Sequence, residues 1–216
     1  MNAVFFDIGG VILDSGSVRT AHERFIADLG KEHDLNGPDA ALETWREELG
    51  AHFREREGTE FRSAHVGYER AMDTLGVEGA WKSIFERAFR DSIEPNPGAV
   101  EVVETLSERD LHLGVLSDVD TEEGHRILET FGIREAFDSI TTSEEVGKTK
   151  PDPAMFERAL EKSGTPPGES LMIGDRYRHD MEGAKAVGLR TAAYGAEEGP
   201  AADHRLDDLR EILDLV

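Results

Sequence analysis

Residues 1–16 read MNAVFFDIGGVILDSG. The apolar run from Ala3 to Ile8 is short, aromatic-rich and closed by glycines, the pattern of a buried strand. It is interrupted at Asp7, and a carboxylate at the end of a buried strand is costly unless something compensates it. Two residues further on stands Gly9, where a second acid could have stood.

Beyond residue 98 the chain alternates. After Glu94-Pro95-Asn96-Pro97-Gly98, strands are expected at Leu111 to Ser117, Phe137 to Thr141, Ser170 to Ile173 and Arg190 to Tyr194. Helices are expected at Thr121 to Phe131, Pro153 to Ser163 and Tyr177 to Val187. Gly195 to Asp203 reads as a loop and Leu206 to Leu215 as a closing amphipathic helix. From about Val18 to Ile93 the apolar positions instead keep a helical period, with breaks near Asn36-Gly37-Pro38, Gly58 and Gly76 to Gly79. That stretch reads as three or four helices without a strand. The fold class is therefore α/β: an open parallel sheet with helices on both faces (1–15 and 96–216), its first strand parted from the rest by an all-helical insertion (16–95). Ligands in such sheets bind outside the carboxyl ends of the strands, at the topological switch point.

Composition narrows the function. The 216 residues carry 46 acids against 24 bases, a formal net charge of −22, which would repel nucleic acid. Eighteen arginines and six lysines face acids scattered along the helices, the mark of a solvated shell suited to a high-salt, halophilic cytoplasm. The absence of cysteine excludes disulfides, thiolate metal sites and cysteine nucleophiles, and fits an intracellular setting. No apolar stretch approaches the roughly 18 to 20 residues of a membrane span, and the first residues lack the basic region of a signal peptide, so a soluble cytoplasmic protein is expected. A single sequence does not separate exposed apolar patches from core, and it fixes no oligomeric state.

The strand ends carry the informative side chains: Asp7, then Ser117-Asp118, then Gly147-Lys148-Thr149-Lys150-Pro151, then Gly174-Asp175. Parallel neighbouring strands would bring them to one pocket, where carboxylates bind a divalent cation and a lysine meets an anionic oxygen. Each also has a plainer explanation alone. Asp7 and Asp175 could form turns, Ser117 could cap the Thr121 helix, and Lys150-Pro151 could mark a helix entry. The order of all of them carries the case.

That order resembles the haloacid dehalogenase superfamily of hydrolases from Ala3 to about Tyr194. Asp7-Ile8-Gly9-Gly10-Val11 matches its first motif, Val115-Leu116-Ser117 its second, Lys150-Pro151-Asp152-Pro153 its third, and Gly174-Asp175 through Asp180 its fourth. The resemblance implies a Rossmann-like core with a helical cap inserted after strand 1, and a magnesium-dependent phosphatase acting on a small phosphorylated metabolite. In that scheme Asp7 attacks phosphorus, Ser117 and Lys150 bind the phosphoryl oxygens, and Mg2+ is held by Asp7, the Gly9 carbonyl, Asp175 and Asp180. Lys148 is the alternative to Lys150; spacing to Pro151 favours Lys150. The cap would close over the pocket, with hinges near Ser15-Gly16 and Glu94 to Gly98.

Two departures stand out. The family's phosphatases place a second aspartate, the proton donor, two residues after the nucleophile; here that position is Gly9. The expected readings are a phosphatase that recruits another acid such as Asp14 or uses leaving groups needing no proton, a dehalogenase-like hydrolase with Arg19 as a distant flap candidate, or a non-catalytic phospho-ligand binding protein. The second departure is Asp118, where an uncharged residue often follows the serine; a cap for the Thr121 helix is the expected role. Arg176 and Arg178 are expected to pair with surrounding acids. The histidines show no metal-ligand spacing.

Overall fold

A computed structural model of the chain describes residues 1–195 and 199–216; the expected loop at 195–203 therefore lies partly outside the described residues. The chain divides into two compact units. One comprises Met1–Asp14, Thr59–Phe61 and Pro95–Val216, the other Ser15–Gly58 and Arg62–Glu94.

The first unit is built on a six-stranded sheet, all parallel. Its strands are β1 (Ala3–Phe6), β2 (His112–Ser117), β3 (Ser139–Thr142), β4 (Ser170–Gly174), β5 (Arg190–Tyr194) and β6 (His204–Leu206), in the order β3-β2-β1-β4-β5-β6. The direction of strand addition reverses at β1, which pairs with β2 through Phe6↔Val115 and with β4 through Phe6↔Ile173. The crevice at the carboxyl end of β1 is thus the switch point. All four β1 residues are buried, as expected of a strand covered on both faces. On one face Ala3, Phe5, Leu116 and Met172 pack with Met155, Phe156, Ala159 and Ala184, drawn from helices α8 (Pro153–Ser163) and α9 (Gly183–Ala186) numbered below. The start of α8 is set by Asp152, whose side chain accepts from Ala154 N at 3.0 Å, and by Pro153 in its first turn.

The second unit holds α1 (Ser15–Glu32), α2 (Pro38–Arg54), α3 (Ala64–Leu75) and α4 (Trp81–Arg90). The breaks fall where glycine and proline stand: Gly37 and Pro38 open α2, and Gly76 closes α3 in the left-handed conformation at φ 68°. Its core is aromatic. Phe25, Trp45, Tyr68, Trp81 and Phe85 interlock, with Trp45 stacked on Tyr68 at 5.1 Å between centroids and Phe85 at 4.8 Å from Tyr68. Phe53, by contrast, is exposed.

In the sheet unit α5 (Ala99–Ser107), α6 (Thr121–Thr130) and α7 (Ser143–Val146) precede α8 and α9. Three expectations are corrected. Thr59–Phe61 pairs into the sheet unit, with Phe61 N donating to Gly147 O at 3.1 Å and Thr149 N to Thr59 O at 2.7 Å. The expected helix Tyr177 to Val187 is a π-helix over Tyr177–Glu182 followed by α9. The expected closing helix Leu206 to Leu215 is β6 followed by a 3-10 helix over Leu209–Asp214, capped reciprocally by Asp208 and Glu211. No helix among the described residues is long and apolar enough to cross a membrane.

Candidate active site

At the end of β1 the backbone turns immediately after Phe6, and Asp7 is left 3% exposed. Its Oδ1 accepts from Ile8 N at 2.8 Å and from the Ser117 hydroxyl at 2.7 Å, while Oδ2 lies 2.8 Å from Lys150 Nζ. The carboxylate is held at both oxygens, and this answers how a strand end tolerates the charge. Ser117 closes the adjacent β2, so its hydroxyl serves Asp7 and not the start of α6, where Asp120 stands and Thr121 N donates to Glu144 Oε2 at 2.7 Å.

Lys150 is 1% exposed. Its ammonium donates to Leu116 O at 3.1 Å and pairs with Asp7 and with Asp180 Oδ1 at 2.7 Å. Burial alone would lower its pKa, but Asp180, Asp7 and Asp118 outweigh it and raise the group above the ordinary lysine range. Lys148 lies apart, half-exposed, 3.6 Å from Glu60. Of the two lysines the structure brings Lys150 to Asp7.

Asp175 follows β4, and Asp180 sits on the π-helix, a bulged element that recurs at functional sites. Asp180 is fully buried, and its Oδ2 accepts from Arg176 N at 2.9 Å. Its Oδ1 meets Lys150 at ion-pair distance without hydrogen-bond geometry. Two glycines make room for these acids. A Cβ at Gly174 would overlap the Asp180 side chain, and one at Gly10, whose φ is +73°, would overlap Asp175 Oδ2.

Asp7, Asp175 and Asp180 each offer an oxygen within 4.8 Å of the others. Asp175 Oδ1 is buried without a hydrogen-bond partner, and burial, followed by the charges of Asp7 and Asp180, pushes the Asp175 carboxyl up to about 6. Three crowded carboxylates against one buried ammonium leave surplus negative charge and an unused hard oxygen. That donor set fits a divalent cation with oxygen preference.

Asp118 is not the expected cap. Its Oδ1 accepts from Lys150 N at 2.8 Å and its Oδ2 from Arg176 Nη2 at 2.7 Å, so it ties the ends of β2 and β4 to the segment carrying Lys150. The paired state also removes the repulsion that a free carboxylate would exert on an anion. Sequence reasoning missed this bridge because nothing in Ser117-Asp118 tells a cap from a long-range acceptor. Arg176 pairs with an acid, as expected, and Arg178 is exposed. Gly9 is exposed and lies just past the nucleophile candidate.

The chain is similar to several known proteins. A family model described as haloacid dehalogenase-like hydrolase matches residues 1–188. Ribulose-1,5-bisphosphate 5-phosphatase of Halopiger xanaduensis is 32% identical over 165 residues, covering 70% of this chain and 67% of that protein. Phosphoserine phosphatase of Thermus thermophilus is 29% identical over 249 aligned positions, covering 98% of each. The crystal structure of a HAD phosphatase from Thermococcus onnurineus shares the fold with a TM-score of 0.72 at 24% identity, over 99% of this chain and 98% of that one. The match of that family model to residues 1–188, most of the chain, makes this chain a member of the haloacid dehalogenase-like hydrolases.

Proposed function

We propose that the protein is a magnesium-dependent phosphatase acting on a small phosphorylated metabolite, with Asp7 as its nucleophile. The observation that carries this reading is the Asp7 carboxylate, fixed by Ile8 N and Ser117 and facing the buried ammonium of Lys150 at 2.8 Å. A carboxylate held in one orientation is ready for attack, and splitting a hard displacement into two steps lowers each barrier. The Ser117 hydroxyl and Lys150 ammonium then offset charge on the transferring phosphoryl oxygens. Asp7, Asp175, Asp180 and the Gly9 backbone carbonyl would hold Mg2+, Asp180 directly or through water. The ion would supply neutralisation of the phosphoryl charge. Asp118 positions Lys150 through its backbone amide. The phosphatase names of the relatives support the same class of substrate.

The test is hydrolysis of para-nitrophenyl phosphate with magnesium. Asp7→Asn should lower the rate by about 10⁴-fold or more, and the wild-type protein should carry a phosphoryl group on Asp7 after acid quench. Activity that survives Asp7→Asn rejects this mechanism. Chloride release from 2-chloropropionate would instead assign carbon–halogen chemistry, and binding of beryllium fluoride without turnover would assign a phospho-ligand sensor.

A further inference from the structure

We propose that this site acts on phosphates whose leaving group departs as a stable anion: phosphoric anhydrides, acyl phosphates and phosphates of acidic hydroxyls, in preference to alkyl phosphate esters. The inference rests on the phosphatase reading and adds the chemistry of the bond that breaks. An alkoxide leaves phosphorus readily only when a proton reaches it, and such help is worth about 10²- to 10⁴-fold in rate.

The groups around Asp7 are poorly suited to give that proton. The Ser117 hydroxyl donates to Asp7 itself. Lys150 is enclosed by Asp7, Asp180 and Leu116 O, and its ammonium is committed to those oxygens. A guanidinium such as that of Arg176 does not give up a proton. Both Asp118 oxygens are engaged, one by Lys150 N and one by Arg176. Asp175 and Asp180 belong to the cluster assigned to the cation.

Gly9 is the remaining position, and its lack of a side chain is not imposed by the fold. Its backbone lies outside the left-handed region, and a Cβ built on it meets nothing within 4 Å. Gly10 is different on both counts, with φ +73° and a Cβ that would overlap Asp175. Residue 9 therefore has room for an acid and carries none. Neither of the side chains that hold Asp7, those of Ser117 and Lys150, is a proton donor free to serve the leaving group.

The steps balance without one. An Asp7 oxygen forms a bond to phosphorus while the bond from phosphorus to the leaving oxygen breaks, and the electron pair departs on that oxygen as an anion. Water then attacks the phosphorus of the aspartyl-phosphate, releasing its proton to solvent, and the Asp7 carboxylate leaves with its electron pair. The second step also lacks a base, so the phosphorylated protein should accumulate with good leaving groups.

The experiment measures kcat/KM with magnesium for acetyl phosphate, a series of aryl phosphates of graded phenol acidity, and glycerol phosphate. Wild type, Gly9→Asp and Gly9→Asn are compared, and phosphorylated protein is followed by mass. In the wild type kcat/KM should fall steeply as the leaving group becomes more basic. Gly9→Asp should raise the ratio of kcat/KM for glycerol phosphate to that for para-nitrophenyl phosphate by about 10²-fold. Gly9→Asn, similar in size but unable to deliver a proton, should bring no such gain. A wild-type series that is flat, with glycerol phosphate as good a substrate as para-nitrophenyl phosphate, overturns the inference, and so does an equal gain in Gly9→Asn. If Gly9→Asp fails to fold, the slope of the wild-type series decides alone. Failure to form phosphorylated Asp7 from any substrate brings down the phosphatase reading itself, whereas a flat series with phosphorylated Asp7 present brings down this inference only.

Discussion

Trp45 in the helical unit and Lys150 in the sheet unit are both almost wholly shielded from solvent, and their neighbours could hardly differ more. Trp45 is stacked on Tyr68, meets Phe25 edge-on at 5.1 Å and lies 5.5 Å from the ring of His22. Lys150 is surrounded by Asp7, Asp180 and a main-chain carbonyl. The first arrangement gains from area removed from water and from ring geometry, which are indifferent to cations and respond weakly to pH. The second sets buried charges against each other, and its balance depends on every partner being present. One protein thus holds one core built on apolar area and ring contacts and one built on opposed charges that is short of positive charge.

The sharpest break of that contrast is Lys150→Met. Removing one partner from a buried charge group costs about 3–5 kcal/mol, and the remaining carboxylates Asp7 and Asp180 would face each other uncompensated. Urea unfolding should show this loss, and added magnesium should recover part of it. Trp45→Ala should cost a comparable ~3–5 kcal/mol through the cavity it leaves, with no recovery by magnesium. Magnesium rescue of Trp45→Ala, or none in Lys150→Met, would erase the distinction.

A smaller effect separates the units by pH. Burial, with a contribution from Arg46, lowers the His22 pKa from 6.5 to about 4. Its Nε2 is enclosed without a partner, between Trp45 and Phe89. Between pH 6.5 and 4 the unfolded chain takes up that proton first, so the helical unit loses up to about 3 kcal/mol as pH falls through this window. His22→Phe should flatten the slope. Asp175 works in the opposite sense. With its carboxyl pushed up to about 6, the metal-free sheet unit binds this proton more readily than the unfolded chain, and it loses stability as pH rises from about 4 to 6. Stabilisation by magnesium should therefore be largest above pH 6 and fade below it, as melting curves with and without the ion would show.

The sequence made much of the sheet legible because parallel strands buried on both faces, such as β1, β2 and β4, are dense apolar runs, each closed or followed at once by a polar residue: Asp7, Ser117 and Asp175. Asp7, Ser117, the Lys148–Lys150 segment and Asp175 could be assigned to one place from strand order, whereas Asp180 and the choice of Lys150 over Lys148 came from the family resemblance. What escaped notice has physical causes. β6 is three residues long and begins with His204 and Arg205, too short and too polar for a period to show. Thr59–Phe61 is equally short and pairs with residues nearly ninety positions away. The Asp118 bridge and the π-helix around Asp180 depend on tertiary distances, and local sequence carries no record of them. The missing side chain at Gly9 was visible at once, but only the open space around it shows that the fold does not require a glycine there.

The return of Thr59–Phe61 to the sheet unit bears on modularity. Helical insertions invite excision as cassettes, yet a deletion spanning 15–94 would also remove a piece of the unit it was meant to spare. Thr149 would lose the Thr59 carbonyl that accepts from both its amide and its hydroxyl, and Asp152, the cap of α8, would lose the Thr59 hydroxyl at 2.7 Å. Those contacts bracket Lys150 in sequence. A minimal sheet domain would need a transplanted Thr59–Phe61 to keep the lysine segment anchored, so the two units are separable in packing but not in chain.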